Sequence, residues 1–250
     1  MTSVRKSDAA PTAKNFRTYD RTVWRMVEAQ HRISTNRLAA DADDQALLER
    51  LVEQAKPPLP AAARALHYLL ATPFRYGYAK ASRFRRARER PGIFYASENI
   101  GTAVAETAYW RLLFFSRSPG FTPPSNTVEH SAFTVPLKTM RALDLTAKPF
   151  VTHAATWTHP SDYTACQDFA AQARRIKAQL IRYTSVRDPD RHANLALLDP
   201  AGFAHATPTI AQTWHFRYEA GTMTAYAAMP SDQRYSFSMA QFGIDRHTAH

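Results

Sequence analysis

Apolar and polar positions recur along this chain with two different periods, and the switches between them lay out its elements. "TVWRMVEAQH" (22–31) carries the mixed apolar pattern of a strand. "DDQALLERLVEQAK" (43–56) repeats at helical spacing. Leu47, Leu48, Leu51 and Val52 share one face, and Asp43 and Asp44 stand at the end where the helix dipole favours negative charge. "KPPLP" ends that helix, and Pro60 opens a second one through "AAARALHYLLAT". "GIFYAS" (92–97) reads as a short buried strand. "ENIGTAVAETAYWRLLFF" (98–115) follows as a helix with its cap near Asn99. That helix is apolar nearly all round, with one carboxylate, Glu106, set among Ala103, Trp110 and Leu113.

The second half continues the alternation. "HSAFTVPL" and "MRALDLT" read as two strands. "SDYTACQDFAAQARRIKAQ" (161–179) reads as a helix capped by Ser161, with Tyr163, Cys166, Phe169, Ala170, Ala173 and Ile176 on one face. "LIRYTSV" and "ANLALLD" are strands about the turn "RDPDRH", and "QTWHFRYE-AGT-MTAYAAM" has the pattern of a hairpin. Nothing after Pro230 gives a clear signal. Helices and strands mix without regular β-α alternation, which predicts an α+β fold with mixed or antiparallel sheets. The expected layout is a disordered tail over 1–15, a strand and helical extension over 16–72, a main domain over 73–230, and a C-terminal tail over 231–250.

Charge sharpens this picture. The formal net charge is +11 over 250 residues, which favours an anionic partner: nucleic acid, anionic lipid or a phosphate-rich small molecule. Five arginines crowd positions 83–90 in "SRFRRARERPGIFYAS". A single cysteine, Cys166, excludes an internal disulfide and fits a reducing cytoplasm. The N-terminus lacks an apolar signal core, and no stretch approaches the length of a membrane span. Ten histidines show no metal-ligand spacing, and neither a phosphate-binding glycine loop nor a nucleophile elbow is present, so no metal is expected.

The arginine run has two readings. As a nucleic-acid stripe it would bind phosphates without sequence preference, yet no stacking aromatics are interleaved beyond Phe84. Alternatively, an arginine, a strand bearing Tyr95 and a helix bearing Glu106 supply a cation for a diphosphate, an aromatic for a flat ring and a carboxylate for a developing positive charge. Ser185 adds a hydroxyl at a strand end, where ligand contacts concentrate. Each residue also has a plain structural role open to it: an ion pair for Glu106, a turn for Ser185, a packed thiol for Cys166.

Taken in order, "SRFRRARERPGIFYAS", "TAVAETAYWR" and "YTACQDFAAQARRIKAQLIRYTSVRDPDRHANLALLDP" resemble the RES domain, named for its arginine, glutamate and serine. The resemblance spans about residues 74–205. It implies an ADP-ribosyltransferase-like fold acting on NAD+ as substrate, often as the toxin of a toxin–antitoxin pair whose other member carries a helix-turn-helix domain. By position it assigns NAD+ phosphates or ribose to Arg83, the nicotinamide pocket to Tyr95, the catalytic carboxylate to Glu106 and the nicotinamide-ribose end to Ser185. Arg75, in "PFRYGY", competes with Arg83 for the family arginine. Arg85, Arg86, Arg88 and Arg90 are left to solvent or a partner surface. The acceptor (water, phosphate or protein), a homo-oligomeric state, binding without turnover and a non-catalytic nucleic-acid-binding protein stay open as alternatives.

Overall fold

The computed structural model describes residues 10–28, 43, 47, 50, 51, 53, 55–118, 120, 122 and 126–245. Its elements in chain order are β1 (Arg17–Glu28), α1 (Tyr68–Arg75), β2 (Phe94–Ser97), α2 (Ile100–Ser116), β3 (Val128–Asp144), the short α3 (Ala154–Trp157), α4 (Thr164–Arg175), β4 (Leu180–Thr184), β5 (Ala193–Leu197), β6 (Thr209–Glu219), β7 (Thr222–Ala227) and β8 (Arg234–Ser238). The class is α+β, as expected. No helix among the described residues is long and apolar enough to cross a membrane.

The eight strands form one sheet in the order β1-β2-β5-β4-β3-β6-β7-β8, with β1 also paired to β3. Five strands therefore close on themselves. β1 runs antiparallel along β3 from Glu28–His130 to Arg17–Ala142, and its Trp24 meets Ser97 of β2. β2, β5 and β4 pair antiparallel, and β4 returns parallel to the last residues of β3, Ala142–Asp144. β6, β7 and β8 extend the sheet from the first half of β3.

Three apolar clusters hold these layers. Val23, Leu70, Phe74, Phe94, Phe133, Leu137, Leu180 and Leu197 pack α1 against the closed part of the sheet. Phe84, Phe150, Trp157, Cys166, Phe169 and Ile181 pack α4 and its approach on β4 and β5. Val104, Ala108, Leu112, Trp214, Phe216, Met223 and Phe237 seat α2 on β6–β8. Cys166 is accordingly a buried packed thiol, with its Sγ directed at the Trp157 carbonyl.

Several expectations needed correction. The two strands expected around Pro136 are one, β3. Pro136 falls between the partners β6, which ends opposite Thr134, and β4, which begins opposite Ala142, so its missing N–H interrupts neither ladder. The helix expected from Pro60 is a 3-10 turn (Ala61–Ala63) and then α1, separated where His67 adopts extended backbone and caps the Leu69 N–H with its ring. Asn99 is the N-cap residue of α2, but its side chain makes no capping bond. Asp162, rather than Ser161, receives the Thr164 N–H at the start of α4. That helix stops at Arg175, short of Gln179, and Lys177 beyond it lies in the left-handed region at φ 63°.

Within the expected tail, Ala13–Asn15 form a 3-10 turn, while 1–9 lie outside the described residues. β8 occupies a stretch where no element was expected, as the last strand of the sheet. The hairpin is as read: Ala220 and Gly221 turn it at φ 48° and 86°, the left-handed pair that matches strand twist. Of the helix expected over 43–56, positions 43, 47, 50, 51, 53 and 55 are helical, and Leu47 and Leu51 are exposed. The rest of it, apart from Lys56, and positions 29–31 of the first expected strand lie outside the described residues.

His130 of β3 is buried, with its ring 4.5 Å from Phe216 and its Nδ1 turned to the Val128 carbonyl. Burial, reinforced by Arg111, holds its pKa down at about 4 against an ordinary 6.5. The unfolded chain therefore binds the proton first as pH falls. The stability His130 allows is whole above pH 6.5 and is lost toward pH 4. Thermal denaturation across that range should show this slope in the wild-type protein and a shallower one in His130→Gln; identical profiles would contradict it.

Candidate active site

α2 presents Ala103, Glu106, Thr107 and Trp110 along one stripe, spaced three and four residues apart, to a cavity of about 540 Å³. The opposite wall comes from the segment after α1 (Tyr78, Lys80–Arg83, Arg85), from β2 (Tyr95–Ser97), from Trp24, Arg25 and Met26 of β1, and from Tyr163, Arg187 and Asn194. Three sequence-selected residues, Arg83, Tyr95 and Glu106, line this one space, and Ser185 reaches it through Glu106. A second cavity, of about 570 Å³, lies at the N-terminus of α2, shares Trp24 with the first and contains none of the four.

Glu106 is the centre of the arrangement. Ser185 Oγ donates to its Oε1 at 2.7 Å, and Asn194 Nδ2 donates to the same oxygen at 2.6 Å. Oε2 takes no hydrogen bond from the described residues. Burial pushes the carboxyl above its ordinary value, while Ser185, Arg187, Arg83 and Asn194 pull it back. Ser185 is fully buried at the end of β4, where its amide bonds the His192 carbonyl. Its Oγ accepts the N–H groups of Arg187 at 3.2 Å and Asp188 at 3.1 Å. Those two donors leave its own proton for Glu106.

Arg83 is held in place by backbone. Its Nη1 donates to the Trp157 carbonyl at 2.9 Å and the His159 carbonyl at 3.0 Å, and its guanidinium lies 4.6 Å over the Tyr163 ring. Arg187 covers Tyr109 at 3.6 Å and donates to the Pro160 carbonyl at 2.6 Å. Tyr95 holds the arginine segment. Its hydroxyl is 2.8 Å from Ser82 Oγ and accepts the Phe84 N–H at 3.2 Å, so Arg83 is carried between two residues tied to β2.

Arg75 does not reach the cavity. It pairs with Glu53 at the surface, so of the two competing arginines only Arg83 stands beside Glu106. Arg85 also departs from expectation. It is buried, lines the cavity, and donates to the carbonyls of Tyr78 and Arg86. Two of the five clustered arginines are thereby withdrawn from any surface stripe, while Arg86 remains exposed in a pair with Asp168.

Two further polar residues of the site escaped the sequence reading. Arg25 donates from Nη1 to the Tyr95 carbonyl at 2.6 Å and lies 4.8 Å over Phe94, but its sealed Nε has no partner and no carboxylate pairs with it among the described residues. Burial lowers its pKa to about 10. Asn194 is the other. A basic residue in "TVWRMV" and an amide in "ANLALL" were the available signals, each a lone polar position in an apolar strand. With Lys80, Arg83, Arg85 and Arg187, Arg25 makes five cations around one carboxylate. Such a wall suits a multiply charged anion. Asp188, Asp190 and His192 also come together, but Asp188 already accepts from Thr102 Oγ1, the Asp190 N–H and His192 Nδ1, which accounts for the grouping.

The sequence profile of the RES domain matches residues 58–219. This chain belongs to the RES family. The match spans α1 to β6 and takes in Arg83, Tyr95, Glu106, Ser185 and Asn194. Among solved structures, the chain is similar to one described as the crystal structure of the M. tuberculosis MbcT–MbcA toxin–antitoxin complex. The identity is 12%, the TM-score 0.46, and the likeness covers 80% of this chain and 86% of that one. No curated protein sequence matches.

Removing the Tyr95 hydroxyl tests how Arg83 is held. Tyr95→Phe should cost about 1–2 kcal/mol in urea denaturation, because the buried Phe84 N–H loses its acceptor. An unchanged midpoint would show that Ser82–Arg85 is fixed by other contacts.

Proposed function

We propose that this RES protein cleaves NAD+ at the nicotinamide–ribose bond. The observation that carries the reading is Glu106, half-buried on an apolar helix, supplied with two donors on one oxygen and lining a cationic cavity. In the reaction the bond from ribose C1′ to the pyridinium nitrogen breaks. Its electron pair passes to the ring, which leaves as neutral nicotinamide. The positive charge that develops on the ribose is stabilised by the Glu106 carboxylate at close range in a site of low dielectric. An acceptor then adds to C1′; with water, a proton is released.

The other residues divide the ligand between them. Arg25, whose guanidinium has no counter-charge among the described residues, with Arg83, Lys80 and Arg85, suits the diphosphate. Tyr95 and Trp110 offer aromatic faces at the wall and mouth. Ser185 opposes the effect of burial on the Glu106 carboxyl and orients it. No metal is required by this chemistry. The family resemblance further supports a toxin role, with a helix-turn-helix antitoxin as partner.

Purified protein incubated with NAD+ should release nicotinamide, and Glu106→Gln should lower the rate by about 10²-fold or more while the protein stays folded. The accompanying product, whether ADP-ribose, its 1″-phosphate or a modified protein, identifies the acceptor. Nicotinamide release by Glu106→Gln at the wild-type rate would remove the carboxylate from the mechanism.

A further inference from the structure

We infer that Asn194 is a positioning residue for Glu106 and that Ser97 anchors its amide by donating to the amide oxygen. The inference rests on the active-site reading of Glu106 but is carried by separate geometry. Ser97 of β2 and Asn194 of β5 are directly opposite in the antiparallel register, and both are buried. Ser97 Oγ donates to Asn194 Oδ1 at 2.6 Å, and Asn194 Nδ2 donates to Glu106 Oε1 at 2.6 Å. Flipping the amide would set two oxygens against each other at that distance, with Glu106 ionised, so the carboxylate selects the amide's sense and the Ser97 hydroxyl, free to rotate, holds it there. The chain of bonds thus has one polarity, running from the sheet to the carboxylate.

Ser185 does the same from the other side, because its oxygen is already held by two amide N–H groups. Glu106 Oε1 is therefore fixed by two donors whose directions are set by buried strand and turn atoms. The carboxylate cannot rotate without losing both, and Oε2 is kept for the ligand. β2, β5, the turn after β4 and α2 meet at one oxygen. The charged and titratable groups around Glu106 are Lys80, Arg83 and Arg85 from the segment before β2, Arg25 from β1, Arg187 from the turn after β4, Tyr183 from β4 and Tyr109 from its own helix. Among the described residues neither tyrosine is bonded to it, and Asn194 and Ser185 are the side chains that donate to it, so a lost donor shows directly in its protonation.

Following the Glu106 carboxyl by ¹³C NMR in the ligand-free protein tests this without any substrate. In Asn194→Ala its titration midpoint should rise by about one pH unit, since a buried hydrogen bond to the charged form is lost. Ser97→Ala should move it in the same direction by less. Asn194→Asp, nearly isosteric, should raise it further, because two adjacent buried carboxyls then share a proton. The acid limb of kcat for nicotinamide release should shift in parallel. Unchanged midpoints in folded Ser97→Ala and Asn194→Asp would overturn the inference even if Asn194→Ala does not fold. Shifted midpoints in a protein that releases no nicotinamide would uphold the positioning role and overturn the catalytic reading.

Discussion

A carboxylate drawn partly out of water must be given hydrogen bonds and opposite charge in its place, and in this fold Glu106 draws them from four separate segments. Asn194 arrives from β5, Ser185 from the end of β4, Arg187 from the turn that follows, and Arg83 from the segment ahead of β2. None of these can be moved alone. Ser185 is locked by amide donors, Asn194 by its cross-strand serine, and Arg83 by two carbonyls and the Tyr163 ring. The result is a charge whose position is determined by sheet register rather than by a flexible loop.

The closed part of the sheet explains why these segments converge. β2 and β5 are short and central, so Tyr95, Ser97 and Asn194 are side chains of paired strands. β1 closes the ring at Trp24–Ser97 and brings Arg25 to the carbonyl of Tyr95. α2, seated on β6–β8, turns a mostly apolar helix so that Glu106 alone of its ionisable groups enters the cavity. The RES-domain fold thus serves as a frame that holds one acid against several fixed cations, an arrangement suited to stabilising a cationic sugar beside a diphosphate.

Much of this was legible in the sequence, and the limits are physical. Tyr95, Glu106 and Ser185 stood out because an aromatic in a short strand, an acid on an apolar helix and a hydroxyl at a strand end are local signals. Arg83 needed the family pattern to separate it from its neighbours, and Arg85 was misplaced because burial of a guanidinium by backbone carbonyls leaves no trace in composition. Asn194 and Arg25 were invisible for another reason: their partners lie 88 and 70 residues away, and only pairing of the strands discloses them. Helix propensity misled at 61–72, where one extended residue, His67, divides the segment, and a proline misled at β3, where it falls in a gap between neighbouring strands.

In the proposed reaction the nicotinamide ribose would lie against Glu106 with the diphosphate on the arginine wall. A crystal structure with carba-NAD+, which keeps the charges but cannot be cleaved at the glycosidic bond, tests it most directly. The ribose carbon bearing nicotinamide should lie about 3–4 Å from Glu106 Oε2, as a near-attack geometry requires, with phosphate oxygens at Arg25 or Arg83. Density for the analogue in the cavity at the N-terminus of α2, or with its diphosphate turned toward Glu106, would contradict the account.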